Sequence, residues 1–158
     1  MQTYVILNNI RSAHNVGSVF RTADGAGVSK IFITGYTPAP IDRFGREQKE
    51  IVKTSLGATQ TVPYEVIEDI HELITRLKKE GTLIVAVEQT KSAIEYRTFE
   101  PKSNVAFIFG NEIEGVEENV LKDSDQHIMI PMSGMKESLN VSVCAGIILF
   151  HFRSQTSI

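Results

Sequence analysis

The sequence predicts a single α/β domain built on a mostly parallel sheet, and three observations carry that prediction. Short apolar runs of four to six residues, rich in Val, Ile and Phe, lack polar alternation, as strands buried on both faces do. Helical patterns separate these runs, and strand–helix alternation is the signature of parallel crossovers. The length, 158 residues, suits one domain with a full core.

In chain order the predicted strands are Tyr4–Leu7, Lys30–Thr34, Thr82–Val87, Val105–Phe109 and His127–Ile130. Between the second and third, Val66, Ile67, Ile70, Leu73, Ile74 and Leu77 recur at helical spacing. Glu68, Asp69, Glu72, Arg76 and Lys78 occupy the opposite face, and Gly81 supplies a stop. The last segment, Leu139–Phe152, is apolar nearly all round through Val141, Val143, Cys144, Ile147, Ile148, Leu149 and Phe150. Such a helix should be covered on more than one side, and a partner subunit is one cover. No internal repeat, low-complexity tract or linker interrupts the pattern.

Composition narrows the function classes. A single cysteine excludes an internal disulfide and a thiolate zinc cage. The N-terminus has no basic region, and no stretch approaches the ~18 apolar residues of a membrane span. A soluble, cytoplasmic protein is therefore expected. The formal net charge is −3, from 16 Lys+Arg against 19 Asp+Glu. That total hides an asymmetry: residues 1–53 carry seven cations and four acids, net +3, and the remainder is net −6. Ordinary solvated faces would account for it, and so would a basic substrate surface in the first third.

Parallel sheets carry functional loops at the carboxyl ends of their strands. Three such loops are rich in polar residues. One follows Tyr4–Leu7 and runs from Asn8 to Arg21, including Arg11, His14, Asn15, Gly17 and Ser18. The second, Gly110-Asn-Glu-Ile-Glu-Gly115-Val116, follows Val105–Phe109. The third, Pro131 to Asn140, leads into the last helix. Singly, their residues have plain structural uses: Asn15 and Ser18 as helix caps, Arg21 paired to Asp24, Ser138 capping the last helix. Together they suit a site where backbone amides approach a ligand. No P-loop is present, and no Gly-x-Gly-x-x-Gly follows the first strand, which disfavours an ordinary Rossmann dinucleotide or methyltransferase site. His14, His71, His127 and His151 lack metal-ligand spacing, so no metal is expected, and Cys144 reads as inert packing.

At these loops the sequence resembles the SPOUT superfamily, specifically its SpoU/TrmH-type RNA 2′-O-ribose methyltransferases. The matching segments are Asn15–Gly27, Phe109–Val116 and Ile130–Val143, with Lys53-Thr-Ser-Leu-Gly57-Ala58 similar to the connecting segment. They cover nearly the whole chain in the right order. The resemblance implies a C-terminal trefoil knot, S-adenosyl-L-methionine bound in that knot, and a homodimer through the first and last helices. Carried over residue by residue, cofactor contacts fall on Gly110, Asn111, Glu112, Ile130, Met132, Ser138 and Leu139. Gly110, Ile130 and Leu139 contribute mainly backbone atoms around the adenosine. The catalytic set is Asn15, Arg21, Glu112, Ser138 and Asn140. Within it Glu112 is expected to hold Arg21, while Asn15 and Asn140 fix polar groups around the nucleophile.

The implied reaction suits these residue types. Methyl transfer to a ribose hydroxyl requires alignment of oxygen and methyl carbon and stabilisation of charge on oxygen. Arg21 presents a planar donor fork suited to a phosphate beside the ribose, and with a pKa above ~12 a free arginine is a poor base. Arg11, Arg21, Arg43, Arg46, Lys49 and Lys53 are the cations available to RNA. The chain carries no appended RNA-binding domain on this reading, so tRNA or rRNA would be selected by the catalytic dimer or a partner. Two alternatives stand beside this one: a non-catalytic RNA-binding or assembly protein of the same fold, and a relative that methylates a base nitrogen.

Overall fold

The computed structural model describes residues 1–153. Seven strands form one sheet: β1 (Thr3–Asn8), β2 (Lys30–Thr34), β3 (Tyr64–Val66), β4 (Leu83–Val87), β5 (Ile94–Glu95), β6 (Val105–Phe109) and β7 (Gln126–Met129). Their order is β3-β2-β1-β6-β4-β7-β5, and every pairing is parallel. The helices are α1 (Ala13–Ala26), α2 (Lys49–Ser55), α3 (Ala58–Thr61), α4 (Ile70–Lys79), α5 (Glu118–Asp123) and α6 (Val141–Phe152).

The five expected strands are present to within one residue at either end. β3 and β5 escape the sequence pattern because they are short edge strands of three and two residues. The helix expected from Val66 begins instead at Ile70. Val66 closes β3, and Ile67 N–H donates to Ile33 O at 2.9 Å, extending the ladder. Asp69 then caps α4 by accepting from His71 N–H at 2.9 Å. The last helix likewise begins at Val141 rather than Leu139.

Period-2 alternation sends strand side chains to two separate cores. Val5, Leu7, Ile31, Ile33 and Phe107 pack with Val16, Val19 and Phe20 of α1 and with Ala145, Ile148 and Leu149 of α6. On the other face Ile6, Ile84 and Ile108 meet Ile70, Leu73, Ile74 and Leu77 of α4 and Val120 of α5. The result is a three-layer α/β/α domain whose central strands are apolar on both sides.

Two packing details matter for the site. A side chain at Gly17 would overlap Thr54 Oγ1 and Ile51 O, so this glycine sets how closely α2 lies against α1. α6 packs beside α1 yet leaves an apolar stripe outward: Val143 (51% exposed), the half-buried Ile147 and Phe150 (43% exposed) recur at i, i+4 and i+7.

Candidate active site

Loops at the carboxyl ends of β4, β6 and β7 enclose a cavity of about 270 Å³, closed on one side by the start of α6. Its apolar walls are Val87, Phe109, Ile130, Leu139 and Val141, and its polar wall is the segment Gly110–Gly115.

That segment is folded tightly on itself. Asn111 and Gly115 exchange backbone hydrogen bonds of 3.1 and 2.9 Å. The turn passes so close over Gly110 that a Cβ there would lie 2.5 Å from Gly115 C, Gly115 O and Val116 N. Asn111 braces the turn from within: its Oδ1 accepts from Ile113 N–H (2.9 Å) and Glu114 N–H (3.0 Å). Its Nδ2 donates to Asn9 O (3.0 Å) and Tyr36 Oη (2.9 Å). From the β4 end, the Glu88 carboxylate accepts from Val116 N–H at 2.9 Å and Gln89 N–H at 2.8 Å. Gly115 has φ +71°, and a side chain there would overlap Glu88.

Glu112 faces the start of α1. Its carboxylate accepts from Arg11 N–H (3.0 Å), Ser12 N–H (3.1 Å) and Asn15 Nδ2 (3.2 Å). Burial pushes its pKa up, but the hydrogen bonds from Arg11, Ser12 and Asn15 outweigh that and leave it below the ordinary carboxylate value. Asn15 Oδ1 in turn accepts from Asn140 Nδ2 at 3.5 Å, the long limit of such a bond. Asn140 Oδ1 accepts from Ser142 N–H at 2.9 Å and so caps α6. A polar row Glu112–Asn15–Asn140 thus joins the β6 loop, α1 and α6 along the cavity rim.

The seven residues singled out from the sequence for a cofactor, Gly110, Asn111, Glu112, Ile130, Met132, Ser138 and Leu139, all line the cavity. Of the five singled out for chemistry, Glu112 and Ser138 line it, and Asn15 and Asn140 form the rim with Glu112. Arg21 stands apart. It is exposed on α1, six residues beyond Asn15, and Glu112 is held by Arg11, Ser12 and Asn15 rather than by its guanidinium. Nor does Arg21 pair with Asp24, whose carboxylate accepts from Thr61 Oγ1 at 2.6 Å. Ser12, not Asn15 or Ser18, caps α1, accepting from Asn15 N–H at 3.2 Å. Asn140 takes the capping role expected of Ser138. Arg11, Arg43, Arg46, Lys49 and Lys53 are all exposed, the last two on α2 against α1.

Sequence reasoning overlooked Glu88 and Gln89, which line the cavity, and it read Cys144, which also faces the cavity, as inert packing. Gln89 Nε2 donates to Ile130 O at 2.7 Å and ties the β4 loop to the β7 loop. The signal was available: both residues directly follow β4, at the same carboxyl edge as the other loops. Burial, with Glu88 nearby, pushes the Cys144 thiol up to about 12, so it stays protonated and packs as an apolar group. Among the described residues no group of three or more His, Cys, Asp or Glu side chains is placed to hold a metal ion. No helix among them is long and apolar enough to cross a membrane.

Fold and cavity define a parallel α/β domain with a cavity at the carboxyl ends of neighbouring strands. The chain belongs to the SpoU rRNA methylase family, whose model matches residues 2–150. It is 33% identical over 151 residues to a 23S rRNA (guanosine-2′-O-)-methyltransferase, RlmB, of Neisseria meningitidis serogroup B, covering 96% of this chain and 58% of that one. Its fold is similar to that of an AdoMet-bound rRNA methyltransferase from Sinorhizobium meliloti, with TM-score 0.83 and 30% identity over 94% of this chain and 54% of the other. It is also similar to the A. aeolicus TrmH/SpoU tRNA modifying enzyme, with TM-score 0.82 and 28% identity over 94% and 72% of the two chains. The chain therefore spans little more than half the length of the RlmB relative.

Proposed function

We propose that this protein is an S-adenosylmethionine-dependent methyltransferase acting on a ribose 2′-hydroxyl of tRNA or rRNA in the cytoplasm. The observation that carries this reading is the cavity whose backbone-rich Gly110–Gly115 wall is joined by Glu112 to Asn15 and Asn140. The activities of its relatives support it.

The cavity fits the cofactor by its donor set. Val87, Phe109, Ile130 and Leu139 offer apolar faces to an adenine, and the close-packed backbone about Gly110 and Ile130 offers amides and carbonyls to its edge. Glu88, Glu112, Glu114 and Glu137 make the lining acidic, which suits a cationic sulfonium. Once bound, S-adenosylmethionine supplies an electrophilic methyl group.

This chain's own residues then orient the acceptor. Glu112 is ionised at neutral pH and holds both the start of α1 and the Asn15 amide, which leaves Asn15 and Asn140 fixed as hydrogen-bonding groups for the ribose. Arg21, exposed on α1, is suited to bind the adjoining phosphate and to stabilise charge on the oxygen. Ser138 belongs to the β7 loop wall and offers its hydroxyl to whatever fills the cavity.

We extend the reading to assembly and chain path. The outward stripe of Val143, Ile147 and Phe150 supports a homodimer in which α6 and α1 face a second copy. The motif order and the cavity shared by the β6 and β7 loops support a C-terminal trefoil knot.

The test is methyl transfer from isotopically labelled S-adenosylmethionine to total tRNA and rRNA, followed by alkaline hydrolysis. A 2′-O-methyl ribose cannot attack its own phosphate, so label is expected in alkali-resistant dinucleotides. Label confined to mononucleotides would favour base methylation. RNA binding without transfer would favour a non-catalytic protein.

A further inference from the structure

The loop between β2 and α2 is anchored to the site at its root and stiffened at its tip. At the root, Thr37 Oγ1 accepts from Ile10 N–H (3.0 Å) and donates to Leu7 O (2.9 Å). Tyr36 N–H donates to Asn9 Oδ1 (3.2 Å), and Tyr36 Oη accepts from Asn111 Nδ2 (2.9 Å). The stem is closed by Gln48 N–H donating to Pro40 O at 2.8 Å.

The tip is organised around Asp42. Its Oδ1 accepts from Phe44 N–H (2.8 Å) and Arg46 N–H (3.0 Å), and its Oδ2 accepts from Arg46 Nε (3.0 Å). Asp42 N–H donates to Arg46 O (2.8 Å), and Gly45 N–H to Asp42 O (3.0 Å). At this ordered tip Phe44 is 67% exposed, and Ile41, Arg43 and Arg46 are exposed with it. The guanidinium carbons of Arg43 and Arg46 lie 4.9 and 5.0 Å from its ring centroid.

An exposed phenylalanine contributes nothing to either core, and its neighbours are the wrong kind for an apolar protein contact. A ring flanked by guanidinium groups matches a nucleotide instead: an aromatic face beside a phosphate. Arg46 is fixed by Asp42, whereas Arg43 makes no ion pair among the described residues and is available to a phosphate.

We propose that Phe44 is a stacking platform for an unpaired RNA base outside the catalytic cavity, with Arg43 on the neighbouring phosphate. This rests on the RNA-substrate reading above, and it assigns the 36–48 loop to holding the strand while the cavity acts on the ribose.

The test uses the full chain and a mixed-sequence single-stranded RNA carrying 2-aminopurine, with calorimetric S-adenosylmethionine binding as the folding control. Phe44→Ala is expected to weaken RNA binding about 5- to 150-fold and to abolish 2-aminopurine quenching, with an unchanged salt slope. Phe44→Trp should retain both affinity and quenching. Arg43→Ala should instead lower the salt slope by about 0.7, the loss of one phosphate contact. RNA affinity and quenching unaffected by Phe44→Ala would overturn the platform alone, as would a loss explained by a change in sedimentation mass. No RNA binding by the unaltered chain would overturn the substrate reading with it.

Discussion

The two loops that face each other across the cavity are built in opposite ways. Gly110–Val116 is braced from four directions: by its own turn, by Asn111, by Glu88 from the β4 end and by the start of α1 through Glu112. Pro131–Leu139 makes no hydrogen bond to another part of the chain among the described residues; the Gln89 bond to Ile130 O is the last tie before Asn140. Most of its side chains are exposed, Met135 at 98%. One wall is preformed, and the other is expected to gain order when something fills the space between them. Binding energy must then offset the ordering of the β7 loop but not that of the β6 loop.

The comparison breaks most sharply at Gly110. Gly110→Val places a branched side chain where backbone atoms lie 2.5 Å from the first added carbon, and backbone cannot swing aside as a side-chain end can. Cofactor affinity should fall by more than about 100-fold by calorimetry, since the preformed wall is lost with its hydrogen bonds. Near-normal affinity would show that the braced turn is not what holds the ligand.

Glu88 comes next. Glu88→Ala removes the acceptor for Val116 N–H and Gln89 N–H while leaving the Asn111 brace intact. Hydrogen bonds to a charged group are worth about 1.5–3 kcal/mol, and partial exposure brings the expected loss to roughly tenfold in cofactor affinity. Glu88→Gln should recover part of it, because an amide oxygen still accepts. Equal losses for both variants would point to charge toward the ligand rather than bracing.

Glu112 tests the tie between the braced wall and α1. Its folded pKa is depressed, so its stabilising contribution is fully present above the unfolded value of about 4.3 and is lost as pH falls through the folded value. Glu112→Gln should cost about 1 kcal/mol at pH 7 by denaturant titration, and the gap to the unaltered protein should close on acidification below about pH 4. A gap that stays constant with pH would mean that the carboxylate charge contributes nothing.

Most of the rigid part of the molecule was legible in the sequence. Strands such as Val105–Phe109, buried on both faces, announce themselves by unbroken apolar runs, and Gly110 and Gly115 announce a turn. The motif resemblance pointed to the residues that line the cavity, because those positions sit at strand ends. What escaped was what needs three dimensions. Whether Glu112 reaches Arg21 or the start of α1 depends on which face of α1 turns toward β6, and no linear spacing encodes it. β3 and the start of α4 were misread because Val66 and Ile67 fit a helical period while hydrogen bonding to β2 decides otherwise. Glu88 was overlooked because its place directly after β4 is its only signal, and a single acidic residue there forms no motif.

The smallest effect is expected at the unbraced wall, and it is the one that separates a loose loop from a merely exposed one. Met135→Ala should change stability by less than about 0.5 kcal/mol, since a fully solvated side chain buries nothing to lose. The informative measurement is amide hydrogen exchange with and without S-adenosylmethionine. Without it, the amides of Ser133 to Ser138 have no intramolecular acceptor and should exchange at nearly unprotected rates, while those of Asn111, Gly115 and Val116 are protected by the bonds they donate. On binding, the larger slowing should fall on Ser133–Ser138, because only that wall has order left to gain. Equal protection of both walls in the free protein would remove the distinction, and the β7 loop would then have to be held by contacts other than hydrogen bonds.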